Sequence, residues 1–179
     1  MNIPNVLTII RLLLIPGFAY CFFSPMKYGV RIAVIIFVIA GLTDILDGFI
    51  ARKYNLVTRL GIVLDPLADK LMLLTVLVSI TLKNQIPFWI IVIVAVKETL
   101  LMLGAITLFN AHDIVVPANR FGKLSTVAFY IAILAVTFEL PYSRVMLHGF
   151  VVLTIVALAV YINGYIIIKR KHKMDLVKK

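Results

Sequence analysis

The chain has 179 residues, 63% of them hydrophobic, a mean hydropathy of +1.09 and a net charge of +10. Soluble domains of this length are closer to half apolar, so these values exclude an ordinary water-soluble enzyme and point to an all-α polytopic membrane protein built as one domain, residues 1–179. Six of the eighteen Lys and Arg lie in the tail 169–179, which reads as a cytoplasmic anchor on anionic lipid headgroups, and no groove or reading helix for nucleic acid is laid out.

Breaks in hydropathy predict six spans, near 5–24, 29–51, 60–82, 86–109, 122–140 and 143–168. In the first, Asn5, Thr8 and Arg11 recur at a spacing of three and so share one stripe of a helix. Arg11, well inside an apolar helix, needs an anionic partner; Asn5 and Thr8 fit a helix cap as readily as a substrate contact. The second and third spans carry Asp44, Asp47, Asp65 and Asp69, half of the eight acidic residues in the chain. In the fourth, Lys97 and Glu98 are neighbours that do not face each other on a helix, so each is expected to have its own partner. His112, His148 and His172 share no ligand spacing. Cys21 is the sole cysteine, so neither an internal disulfide nor a thiolate metal site can form. The N-terminus lacks the basic region of a signal peptide, and the first apolar segment is long enough to stay as a span.

Charge sets the expected orientation. The second and fourth links and the tail hold Arg52, Lys53, Arg59, Arg120, Lys123 and the six tail charges, against Lys27, Arg31, Lys83 and Arg144 on the other side. Positive residues stay inside, which puts both termini in the cytoplasm. Asp44 lies eight residues before Arg52 and Asp65 six after Arg59, about 12 Å and about 9 Å along their helices at 1.5 Å per residue. The two helices are expected to be antiparallel neighbours, with their carboxylates meeting at one depth below the cytoplasmic surface.

The full frame is Asp44-x2-Asp47-Gly48-x2-Ala51-Arg52-x8-Gly61-x3-Asp65-x3-Asp69. Asp44 and Asp47 share one helix face, as do Asp65 and Asp69. Carboxylates in hydrocarbon mark cavities, partners or ions, and four at one depth repel without a cation. Oxygen donors without His or Cys favour a hard cation, Mg²⁺ or Mn²⁺. Gly48, Ala51 and Gly61 leave room for close approach, and Arg52 is placed to meet an aspartate or a phosphate. Two rival readings compete with a metal site: aspartates that pair with Arg or Lys to hold helices together, and an ion or proton path in a small transporter.

This frame resembles, residue for residue, the signature of the CDP-alcohol phosphotransferases, membrane enzymes of phospholipid synthesis. The resemblance implies transfer of a phosphatidyl group from CDP-diacylglycerol to an alcohol with release of CMP. It implies that Asp44, Asp47 and Asp65 hold metal, with Asp69 beside them as general base, and that Gly48, Ala51, Arg52 and Gly61 line the CDP pocket. It also implies a homodimer, in a bacterial cell membrane with the active site facing the cytoplasm.

Asn2 to Arg11 and Asp65-Pro66-Leu67-Ala68-Asp69-Lys70 are similar to the branches that make phosphatidylglycerophosphate and cardiolipin. Phe121-Gly122-Lys123-Leu124-Ser125-Thr126 is similar to a Gly-Lys-x-Lys-Thr segment of that branch, with Ser125 in place of the second lysine. The favoured acceptor is glycerol 3-phosphate, a dianion that needs a cationic pocket, for which Arg11, Lys70, Arg120 and Lys123 are the candidates. Phosphatidylglycerol, giving cardiolipin, is the alternative acceptor.

Overall fold

The structure is a computed structural model that describes residues 3–54, 59–112 and 120–177. Six helices account for nearly all of it, and no strand occurs among the described residues: α1 (Ile3–Phe23), α2 (Gly29–Lys53), α3 (Arg59–Leu82), α4 (Phe88–His112), α5 (Arg120–Thr137) and α6 (Ser143–Val177). Among the described residues four contain stretches long and apolar enough to cross a bilayer: Asn5–Phe23, Gly29–Ala51, Arg120–Thr137 and Ser143–Ile167. α3 differs from these because Asp65, Asp69 and Lys70 interrupt its apolar run. With exposed apolar side chains along every helix, the chain is an integral membrane protein. α6 departs from expectation in length, since its 35 residues span about 52 Å at 1.5 Å each. The helix thus continues past the apolar stretch into the basic tail.

The chain divides into two compact units, Met1–Ile86 with α1 to α3 and Pro87–Lys179 with α4 to α6. In the first unit α1 is central: it packs extensively on α2 and also on α3, whereas α2 and α3 meet each other least. Phe18, Phe22, Ala33, Phe37 and Ala40 form the α1–α2 core, with Phe18 stacked on Phe22 at 5.4 Å between ring centroids. At the turn between these helices Gly29 is pressed against backbone; a Cβ there would lie 2.5 Å from the Cys21 carbonyl oxygen. Only a residue without a side chain fits.

In the second unit α6 packs extensively on α5 and also contacts α4. Ser125, Phe129, Ala132, Ile133 and Val136 form the buried stripe of α5, facing Leu147, Phe150, Val151, Thr154 and Ala157 of α6. Phe129 and Phe150 rings are 5.5 Å apart, and the buried hydroxyls of Ser125 and Thr154 share a hydrogen bond of 3.0 Å. Tyr161 on α6 donates to the Leu101 carbonyl of α4 at 3.2 Å, and a Cβ on Gly104 would lie 2.8 Å from that same hydroxyl.

Two helix ends are closed by the same device. At α3 the Gln85 N–H bonds Ile80 O and the Asn84 N–H bonds Thr81 O; at α5 the Leu140 N–H bonds Ala135 O and the Glu139 N–H bonds Val136 O. These crossed bonds satisfy terminal carbonyls and require a left-handed residue between helix and link. Asn84 (φ 56°) and Glu139 (φ 51°) occupy it; asparagine tolerates that conformation better than glutamate.

Candidate active site

The site lies in the first unit, and α1 assembles it. Its stripe of Thr8 and Arg11 is completely buried and faces the aspartates of both other helices. Arg11 donates through Nη1 to Asp44 Oδ1 at 2.5 Å and through Nη2 to Asp47 Oδ2. Thr8 donates through Oγ1 to Asp65 Oδ1. On α3, Lys70 reaches back to Asp69, Nζ to Oδ2 at 3.0 Å. Asp44 feels the charges of Asp65, Asp69 and Lys70 as well as Arg11, and Asp47 those of Asp44 and Asp65. The four carboxylates therefore form one electrostatic cluster on α2 and α3.

Exposure grades across the cluster. The Asp47 side chain is 3% exposed and Arg11 1%, whereas Asp44 is 41% and Asp69 33% exposed. Asp47 and Arg11 are a sealed pair, while Asp44 and Asp69 present oxygen atoms outward. Gly48 and Ala51 are half-buried on α2 and Gly61 is buried on α3, so the small residues of the frame lie in the same unit.

The expected encounter of α2 and α3 is corrected in one respect. The two helices have little direct contact because α1 packs against both, and their carboxylates are tied through Arg11 and Thr8. Asn5 and Thr8 are not cap residues, since α1 already begins at Ile3. Thr8 as a partner of Asp65 was not anticipated; its spacing of three from Arg11 was the available signal.

The remaining expected residues divide by location. Arg120 and Lys123 are exposed in the first turn of α5, in the second unit. The side chains of Arg52, His112 and the tail beyond Ile167 lie outside the described residues. Lys97 and Glu98 were expected to have separate partners, but Lys97 Nζ bonds Glu98 Oε1 at 2.6 Å. Long flexible side chains let helix neighbours curl toward each other where burial, 8% and 7% exposed, makes an unpaired charge costly. His148 is exposed and bonds Arg144 O one turn back in its own helix.

Among the described residues no three acidic, His or Cys side chains stand close enough together to hold an ion as they are. The donor set nonetheless suits one. Four carboxylates face two cations in the cluster, Arg11 and Lys70, leaving two negative charges, the complement of one divalent ion. Hard oxygen donors suit Mg²⁺ or Mn²⁺.

Residues 1–161, reaching from α1 into α6, match the family model described as CDP-alcohol phosphatidyltransferase. The chain is 44% identical over 114 residues to the CDP-diacylglycerol–glycerol-3-phosphate 3-phosphatidyltransferase of Haemophilus influenzae, covering 58% of this chain and 61% of that one. The Bacillus subtilis protein of the same name is 35% identical over 158 residues, 80% of this chain and 81% of its own. A Mycobacterium tuberculosis protein with a provisional cardiolipin synthase name is 34% identical over 131 residues, 73% of this chain and 62% of its own.

Proposed function

This chain belongs to the CDP-alcohol phosphatidyltransferase family, and from that premise we propose that it transfers the phosphatidyl group of CDP-diacylglycerol to glycerol 3-phosphate, giving phosphatidylglycerophosphate and CMP. Family membership makes it an enzyme and sets aside the transporter reading. The observation that carries the proposal is the single cluster formed by Asp44, Asp47, Asp65 and Asp69 around Arg11 and Thr8. The relatives named for this reaction, which match along most of the chain in Bacillus subtilis, support the choice of acceptor.

Asp44, Asp47 and Asp65 would hold Mg²⁺ or Mn²⁺, with Asp69 beside them. When bound, such an ion neutralises charge on the pyrophosphate and on the departing CMP. Asp69 takes the proton from the acceptor hydroxyl as its oxygen attacks the phosphatidyl phosphorus; the bond from that phosphorus to the CMP oxygen breaks, and CMP leaves with the electron pair. A base must stand within hydrogen-bond reach of the proton it removes, and the partly exposed carboxylate of Asp69 is open to an incoming hydroxyl. Lys70 orients Asp69 through their ion pair. Gly48, Ala51 and Gly61 leave space for the nucleotide, with Arg52 at its phosphates. Arg11 and Lys70 supply positive charge for the acceptor phosphate.

In this reading the chain has six spans, both termini in the cytoplasm and the site open to that side, in a bacterial cell membrane and as a homodimer. The test is CMP release from CDP-diacylglycerol by purified protein with Mg²⁺ or Mn²⁺. Release with glycerol 3-phosphate and not with phosphatidylglycerol is expected. The reverse pattern would make the protein a cardiolipin synthase, the activity in the name of its mycobacterial relative.

A further inference from the structure

Arg11 holds the residues that the proposed metal needs. Its fork is filled by Asp44 and Asp47, and a guanidinium so placed competes with any cation for the same oxygens. The pairing is also incomplete: Arg11 Nε is buried with no hydrogen-bond partner. A permanent structural arginine, 1% exposed, normally has its buried donors satisfied. The two carboxylates differ as well, since Asp47 is sealed and Asp44 is 41% exposed. One arm of the fork is thus locked and the other opens outward.

We propose that Arg11 is an exchangeable counter-charge, clamping Asp44 and Asp47 in the metal-free protein and releasing Asp44 as a divalent cation binds, which frees that arm of its fork for a substrate phosphate. The inference rests on the metal reading above. It gives Arg11 two successive roles: it keeps the carboxylates of α2 converged beside α3 before the ion arrives, and it then serves the phosphate end of the reaction. Guanidinium N–H groups donate to carboxylate and phosphate oxygens alike, so exchange at the freed arm needs no change of chemistry at Arg11. Order of binding follows: the cation enters first, the phosphate second. Thr8 needs no such exchange, because a neutral hydroxyl bonded to Asp65 does not repel a cation.

The test is Mn²⁺ affinity of the detergent-solubilised full chain, read from the spectroscopic signal of free Mn²⁺, with thermal unfolding followed in parallel. Replacing Arg11 by Met keeps an unbranched side chain and removes the charge. Arg11→Met is expected to bind Mn²⁺ about tenfold more tightly than the unaltered protein, the scale of one partly screened unit charge. Its metal-free unfolding midpoint is expected to fall and to rise on Mn²⁺ addition by more than the unaltered protein's does. A purely structural role predicts lower stability without tighter binding, and equal or weaker affinity in folded Arg11→Met overturns the exchange. Should that variant fail to fold, Arg11→Lys decides, since it keeps the charge and loses the fork: tighter binding supports the exchange and unchanged affinity overturns it. Failure of the unaltered protein to bind Mn²⁺ overturns the metal reading itself, and the exchange with it.

Discussion

The two units solve the problem of charge in a membrane differently. In the first, charged groups on three helices meet each other: Arg11 of α1 reaches two aspartates of α2, Thr8 of α1 reaches Asp65 of α3, and Lys70 balances Asp69. In the second, the Lys97–Glu98 pair forms between neighbours on α4, and α5 and α6 pack through an apolar stripe and one hydroxyl pair. Charge that crosses between helices has to be built by several elements at once, and its outward-facing oxygens give it something to bind. The four aspartates of the proposed site all lie in the first unit.

The largest expected effect is at Asp69. Asp69→Asn should reduce CMP release by about 10²- to 10⁴-fold, the usual contribution of a positioned base, while CDP-diacylglycerol binding measured by titration stays intact. Unchanged turnover would remove Asp69 from the mechanism and blur the distinction between units. Next comes Asp47→Ala, which leaves Arg11 buried with half its fork unmatched. Breaking a buried pair costs about 3–5 kcal/mol, so a large fall in the unfolding midpoint is expected. Replacing Lys97 and Glu98 together by Met and Leu should, by contrast, leave CMP release unaltered; a loss of turnover there would bring α4 into the site.

Smaller effects separate the two packings. Gly29→Ala drives a Cβ to 2.5 Å from a backbone oxygen, whereas Gly104→Ala meets the end of the Tyr161 side chain at 2.8 Å. Overpacking costs about 1–3 kcal/mol, and thermal unfolding should place Gly29→Ala at the costly end, because backbone cannot swing aside. The smallest expected change is a gain. Glu139 carries a left-handed backbone at the end of α5, a conformation that costs a residue with a Cβ about 1–2 kcal/mol. Glu139→Gly should raise the unfolding midpoint slightly, and a drop would mean that the glutamate side chain has a role of its own.

Much of this was legible in the residues and some was not, for a physical reason. The aspartate frame stands out because carboxylates are rare and costly in hydrocarbon, and α2 and α3 carry Asp44, Asp47, Asp65 and Asp69 as expected. Helix limits followed from the breaks in hydropathy, although α5 ends at Thr137 rather than near 140. Neighbour relations were hidden. In a membrane the outer face of a helix is as apolar as its buried face, so Leu13 and Tyr20, 68% and 72% exposed, read no differently from buried Phe18 and Phe22. The central place of α1 in its unit was therefore visible only in Thr8 and Arg11. The length of α6 was missed because a run of basic residues signals the end of an apolar span without signalling the end of a helix.

The central claim is that four aspartates from α2 and α3, gathered by α1, form one divalent cation site. It is tested most directly by anomalous diffraction from Mn²⁺-soaked crystals of the protein in a lipid phase. The account predicts an anomalous peak bounded by carboxylate oxygens of Asp44, Asp47 and Asp65, with Asp69 beside it. A peak remote from these carboxylates, or none at saturating Mn²⁺, would contradict it.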